Sequence, residues 1–140
     1  MERLQLKWQT ARGLVPKAEI NGRGGRVGVL YYGTTSLPIP EALDKLAVSG
    51  IHLDTCRVRA FPFGDEVEAF VADHDLIFVV EQNRDGQMRT LLVNELQTDP
   101  AKLIPILYFA GLSISADFID AKISEYYEEH KLARLTEVTS

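Results

Sequence analysis

The densest run of chemically capable side chains in this 140-residue sequence is Glu81-Gln82-Asn83-Arg84-Asp85-Gly86-Gln87, which follows the apolar stretch Leu76–Val80. A buried strand that ends in a carboxylate, three amides and a glycine must satisfy those groups by local turns, by a ligand or by another chain. A helix cap accounts for Asn83 or Asp85. Glu81, Gln82 and Gln87 exceed what one helix N-terminus uses, so the run is expected to meet a neighbouring domain or subunit. Gly86 permits a tight turn or the close approach of another backbone. A second candidate is Gly33-Thr34-Thr35-Ser36, which joins a predicted strand to a helix. Free amides and the helix dipole favour an anion at such a junction, while Thr35 or Ser36 could simply cap the helix. Arg57 and Arg59 stand at the end of the next strand and could reach the same crevice, although neighbours one apart on a strand alternate in direction.

Other chemistries find no support in the residue pattern. His52, His74 and His130 lie far apart, with no i, i+4 pairing and no carboxylate spacing suited to a metal. Cys56 is the single cysteine, which excludes an internal disulfide framework and a Cys-rich cluster. An adjacent Arg57 would lower its pKa, and burial on a strand would make it inert. No nucleophile elbow, Walker A loop or dinucleotide fingerprint occurs. Gly22-Arg23-Gly24-Gly25 precedes a strand rather than following one, so it is not a phosphate cradle. The chain alone is expected to hold no catalytic centre, metal or cofactor.

The elements that must position these residues alternate along the chain. Arg26–Tyr32, Ile51–Arg57, Leu76–Glu81 and Leu103–Tyr108 read as strands, with Pro105 favouring an edge position for the last. Glu41–Ser49, Asp65–Asp73, Asp85–Gln97 and Ser115–His130 read as helices, and Asp65 with Glu68 resembles a capping box. Such alternation predicts an α/β fold with a largely parallel sheet covered by helices on both faces. Ligands and partners of such sheets engage the carboxyl ends of the strands, where all three candidate segments fall. Residues 1–24 read as a lead-in, with one short strand around Ala18–Ile20, and residues 25–140 as one domain. Residues 1–26 carry six Lys/Arg against two acids, leaving a net −9 on the remainder of a chain whose total is −5. The lead-in is either a basic arm docking on an acidic neighbour or a solvated linker. The acidic balance argues against nucleic acid, and no apolar run or signal pattern indicates a membrane; a cytoplasmic location is expected.

These motifs, in order, resemble the alpha subunits of 2-oxoacid:ferredoxin oxidoreductases. Glu81-Gln82-Asn83 with Gly86-Gln87 is similar to their E-Q-N-x-x-G-Q motif. Val27–Thr35 resembles V-G-V-I-x-x-G-S-T, and Glu41–Leu46 the helix E-A-(V/L)-x-K-L that follows. Arg57–Phe63 resembles L-R-x-x-x-P-F-P, with Gly64 where the family often has proline, and Gly111–Ile123 resembles the ending D-G-K-P-I-T-x-E-E-I. The resemblance covers residues 14–125 and points to the C-terminal, transketolase C-terminal-like domain, closest to the 2-oxoglutarate type. It implies a three-layer α/β/α fold with a five-stranded mixed sheet in which one strand is antiparallel. It also implies a part in the oxidative decarboxylation of a 2-oxoacid to acyl-CoA with electrons passed to ferredoxin. The implied partners are the remaining alpha-subunit domain and the beta subunit, with ferredoxin and CoA engaging the complex, and a homodimer is open. Thiamine diphosphate, Mg and iron–sulfur clusters are expected in the complete enzyme and not in this chain, which would serve assembly. The other reading is a standalone α/β module that binds a small anion at the strand ends.

Overall fold

The computed structural model describes residues 16–22 and 24–132. Most of the lead-in, residues 1–15, therefore lies outside the described residues. Five strands form one sheet: β1 (Glu19–Asn21), β2 (Val27–Tyr32), β3 (Asp54–Val58), β4 (Leu76–Glu81) and β5 (Leu103–Leu107). Their spatial order is β1-β3-β2-β4-β5, with β1 antiparallel to β3 and every other pair parallel. Among the described residues four helices, α1 (Ile39–Val48), α2 (Asp65–Asp73), α3 (Gln87–Leu96) and α4 (Ala116–Glu129), follow β2, β3, β4 and β5 in turn. The mixed, mainly parallel sheet with one antiparallel strand matches the expected fold class.

Alternation along the strands sorts side chains into two cores. Phe78 and Val80 of β4 join Val29, Tyr31 and Ile106 beneath α1 and α4, which contribute Ala42, Leu46, Ile119 and Ile123. Ile77 and Val79 point the other way, meeting Leu30, Cys56, Leu103 and the inward residues of α2 and α3: Val67, Phe70, Val71 and Leu92. A strand buried on both faces must be apolar throughout, which is why β4 reads as an unbroken hydrophobic run. Pro105 sits on β5 at the sheet edge, where its missing amide costs no ladder bond.

Helix ends depart from the sequence expectations in three places. Neither Thr35 nor Ser36 caps α1: residues Gly33–Ser36 form a 3-10 turn, and Pro38 is the N-cap without a side-chain bond. Asp65 does not open a capping box, because Gly64 is the N-cap of α2, again with no side-chain bond. Helix α3 begins at Gln87 rather than Asp85, since Gly86 takes a left-handed φ of 64° and holds the N-cap position. Ser115 does cap α4, accepting from the Phe118 amide at 3.1 Å. Helix α1 ends in paired bonds from Gly50 N to Ala47 O and from Ile51 N to Leu46 O, a Schellman closure that carries the chain toward β3. β3 then starts at Asp54, three residues later than the apolar pattern suggests.

Burial pushes the Cys56 thiol up to about 12, with the Glu66 carboxylate a smaller contributor in the same direction. An unfolded thiol titrates near 8.5, so the unfolded chain releases this proton first as pH rises. The contribution to stability is thus complete below about pH 8.5 and is lost as pH climbs toward 12. At pH 8 Cys56 is expected to resist a disulfide reagent until the chain unfolds. Reaction with the native protein as fast as with free cysteine would contradict this.

Candidate functional site

The period of β4 assigns opposite directions to the first two polar residues at its end. Glu81 continues the Ile77–Val79 side toward α3 and is fully buried, at 0% exposure. Its Oε1 accepts from the Met88 amide at 2.6 Å, the Asn83 side-chain amide at 3.0 Å and the Tyr32 hydroxyl at 3.1 Å. Its Oε2 accepts from the Arg89 amide at 3.2 Å. Glu81 is therefore the anion of the α3 N-terminus, supplied by the chain itself, where the free amides and dipole favour negative charge. Tyr32 feels it: burial first, then the Glu81 carboxylate, raises the phenol above its usual range.

Asn83 closes the turn beneath this group. Its Oδ1 accepts from the Asp85 amide at 3.1 Å and the Gly86 amide at 2.8 Å, and its Nδ2 donates to the Tyr32 hydroxyl at 3.1 Å. Gln82 points to the other side. Its Nε2 donates to Thr34 Oγ1 and Thr35 Oγ1, both at 3.1 Å, and its Oε1 accepts from the Ile114 amide at 3.3 Å. One side chain thus ties the loop after β2 to the loop after β5 across the end of β4.

The structure brings Thr34, Thr35, Glu81, Gln82, Asn83 and Gly86 together and leaves others apart. Arg57 faces Glu19 of β1 at 3.6 Å, and Arg59 is exposed. Neither is among the hydrogen-bonding partners of the Glu81 network, because β3 is separated from β4 by β2. Gly33 has a left-handed φ of 61° at the turn into the 3-10 segment. At the start of α1, Pro38 and Pro40 carry no amide hydrogen and Glu41 adds negative charge, which leaves few helix amides free for an anion there. Gln87 is exposed at the first position of α3, and Arg84 is exposed with its guanidinium 5.9 Å from the centre of the Phe109 ring. Glu81 and Gln82 thus both bond within the domain, Glu81 fully buried and Gln82 half-buried at the strand end.

A second polar centre, absent from the sequence reading, lies at the opposite end of the sheet. His74 follows α2, with Nδ1 2.7 Å from the Phe70 carbonyl and Nε2 2.8 Å from Asp54 Oδ2. The Gly25 amide donates to the same oxygen at 2.9 Å. A pocket of about 680 Å³ opens beside this pair, lined by Gly22, Glu66, Phe70 and Asp73 among others. Both ring nitrogens already have partners, so the imidazole offers no free atom to a substrate. Among the described residues no three His, Cys, Asp or Glu side chains converge as metal ligands, and these residues do not fit a diphosphate-bound metal or an iron–sulfur cluster.

No family model matches the chain, and no curated protein matches it. Solved structures do. The 2-oxoglutarate:ferredoxin oxidoreductase from Magnetococcus marinus, with 2-oxoglutarate, coenzyme A and succinyl-CoA bound, superposes over 83% of this chain with a TM-score of 0.72 and 23% identity. The two share one fold. This chain spans only 20% of the length of that one. The alpha chain of a probable 2-oxoacid ferredoxin oxidoreductase from Thermoplasma acidophilum matches 80% of this chain and 97% of its own length, with a TM-score of 0.51 and 22% identity. At these identities the likeness is one of fold. No helix among the described residues is long and apolar enough to cross a membrane.

Proposed function

We propose that this chain is the transketolase C-terminal-like domain of a 2-oxoacid:ferredoxin oxidoreductase alpha subunit, acting in assembly rather than in the chemical step. The observation that carries the reading is a coincidence of two independent likenesses. The motifs Val27–Thr35, Glu41–Leu46, Arg57–Phe63 and Glu81–Gln87 resemble one family in order, and the fold they build superposes on members of that same family. The internal bonding of Glu81, Gln82 and Asn83 supports a structural role, because a strand end closed on itself presents a shaped surface and holds no reactive group. The substrate of the complete enzyme would be a 2-oxoacid, 2-oxoglutarate by the closest resemblance. Thiamine diphosphate, Mg and the clusters would reside in its other domains and subunits, in the cytoplasm.

The test is reconstitution. The chain should co-purify with the thiamine diphosphate-binding domain and the beta subunit of the enzyme. The assembly should reduce ferredoxin with a 2-oxoacid and CoA, while the chain alone does neither that nor binds thiamine diphosphate. Arg84→Ala and Gln87→Ala, both at exposed positions, should weaken assembly while the melting temperature stays put. Failure of the wild-type chain to associate would remove the reading.

A further inference from the structure

The Asp54–His74 pair is buried and takes no part in the strand-end network. Its geometry fixes a proton count. His74 Nδ1 lies 2.7 Å from the Phe70 carbonyl oxygen, and Nε2 lies 2.8 Å from Asp54 Oδ2. A carbonyl oxygen only accepts, and so does an ionised carboxylate. A neutral imidazole donates from one nitrogen and carries a lone pair on the other. With one proton on the ring and none on Asp54, a nitrogen lone pair would face an oxygen lone pair at bonding distance in a buried place. One further proton is therefore required, on Nε2 or on Asp54. The Gly25 amide donates to the same Oδ2 at 2.9 Å, which favours the ionised carboxylate and puts the proton on the ring.

The surroundings suit an imidazolium. His74 is the C-cap of α2, where the last carbonyls and the helix dipole attract positive charge. The Phe70 ring lies against the imidazole, with centroids 4.2 Å apart and planes tilted by 37°, and an aromatic face attracts a cation. The carboxylates of Glu66 and Asp73, both on α2, share a pocket wall with the pair. Of the described cations at this end, Lys102 donates to the Ala72 carbonyl at 3.4 Å and Arg26 to Asp75 at 2.6 Å, both in exposed bonds.

We infer that the Asp54–His74 couple is a proton-operated latch, joining α2 to β3 and, through Gly25, to the entry of β2. While the proton is present, one carboxylate oxygen holds both the ring and the Gly25 amide. When it leaves, Nε2 and Oδ2 repel, Asp54 turns away and the Gly25 bond is lost. The Gly22 backbone lies against the same carboxylate, so β1 loosens with it, while β4 stays packed in the core. Histidine in an unfolded chain titrates near about 6.5. The latch thus stabilises the fold fully below about pH 6.5, and that contribution is lost as pH rises until the folded pair also gives up its proton. The latch belongs to the domain's own fold, whatever partners the domain meets.

Nitrogen-15 NMR of the full chain at pH 7.5 reads the proton directly. Both ring nitrogens of His74 should carry a bonded proton, whereas the histidines of the same chain unfolded in urea should be mostly neutral. Asp54→Asn should return His74 to a single ring proton, because the new amide can donate to Nε2. From pH 7 to pH 8 the unfolding equilibrium constant of the wild type should rise about eightfold relative to that of His74→Gln. At higher pH the Gly25 amide resonance should shift with the same midpoint as His74, while that of Val79 holds still. A bare ring nitrogen on His74 at pH 7.5 would overturn the inference, as would an equal pH dependence of the two unfolding constants. A Gly25 resonance indifferent to the loss of the His74 proton would also overturn it, since the pair would then latch nothing.

Discussion

Replacing Glu81 with alanine is expected to lower the unfolding free energy by about 3 kcal/mol, because four donors lose a buried acceptor at once. Two of those donors are the Met88 and Arg89 amides of the first turn of α3, which no side chain at the N-cap serves, because Gly86 occupies it. Asn83 and Tyr32 are bonded to one another as well as to Glu81, so the loss spreads to the turn over Asp85 and Gly86. Glu81→Gln retains the shape and one acceptor oxygen. Placed with its amide group toward the Arg89 N–H, it should cost about 1–2 kcal/mol. Gln87→Ala, on the exposed side of the same helix, should fall within about 0.5 kcal/mol of the parent. Urea unfolding of the three variants checks the order. A loss below about 1 kcal/mol for Glu81→Ala would mean that water replaces the carboxylate, and that the network is not what closes the strand end.

The second large effect is expected at the other end of the sheet. Asp54→Ala removes the acceptor shared by His74 Nε2 and the Gly25 amide, in a place where both Asp54 and His74 are buried. A loss of about 1–2 kcal/mol follows from leaving the buried His74 ring without its carboxylate, while the exposed Gly25 amide can turn to water. The backbone at Gly22 lies against the same carboxylate so closely that a Cβ there would collide with it. The pair therefore sets how β1 is joined to β2, and the effect should be local first. Hydrogen exchange should accelerate at Gly25 and in β1 well before it does at Phe78–Val80 in β4. Combining Asp54→Ala with His74→Ala should cost less than the sum of the single changes, since each removes the other's partner. Strict additivity would show that the 2.8 Å contact contributes nothing of its own.

The anion-module reading fares poorly on the same geometry. At α3 the first-turn amides are bonded to Glu81, and at α1 two prolines lack amide hydrogens while Glu41 adds negative charge to the first turn. What remains outward at the strand ends mixes apolar side chains with both acidic and basic ones, Arg59 and Arg84 among them, which suits a polypeptide better than a small anion.

By itself the sequence determined the kind and order of the elements, because those depend on local pattern. Residues two apart on a strand share a face and residues three or four apart on a helix do, so Leu76–Glu81 and the stripe Ala116, Ile119, Ile123, Tyr127 announce themselves. Pro105 announced an edge for the same local reason, the loss of one amide. Helix starts were less readable. Thr35 and Ser36 have the chemistry of a cap, yet Thr35 is drawn to Gln82, and the helix begins beyond Pro38. Only the tertiary structure decided the partners. Glu81 and Tyr32 are 49 residues apart, Gln82 and Thr34 are 48 apart, and Asp54 and His74 are 20 apart. Those pairs meet because β2 lies beside both β3 and β4, and because Asp54 at the start of β3 and His74 at the end of α2 come to the same end of the sheet. Strand order is a property of the closed sheet, and no run of neighbouring residues encodes it. The direction of β1 is of the same kind: three residues with no buried face carry no periodic signal, and their pairing with Arg57, Cys56 and Thr55 alone turns the incoming chain toward the carboxyl ends of the sheet.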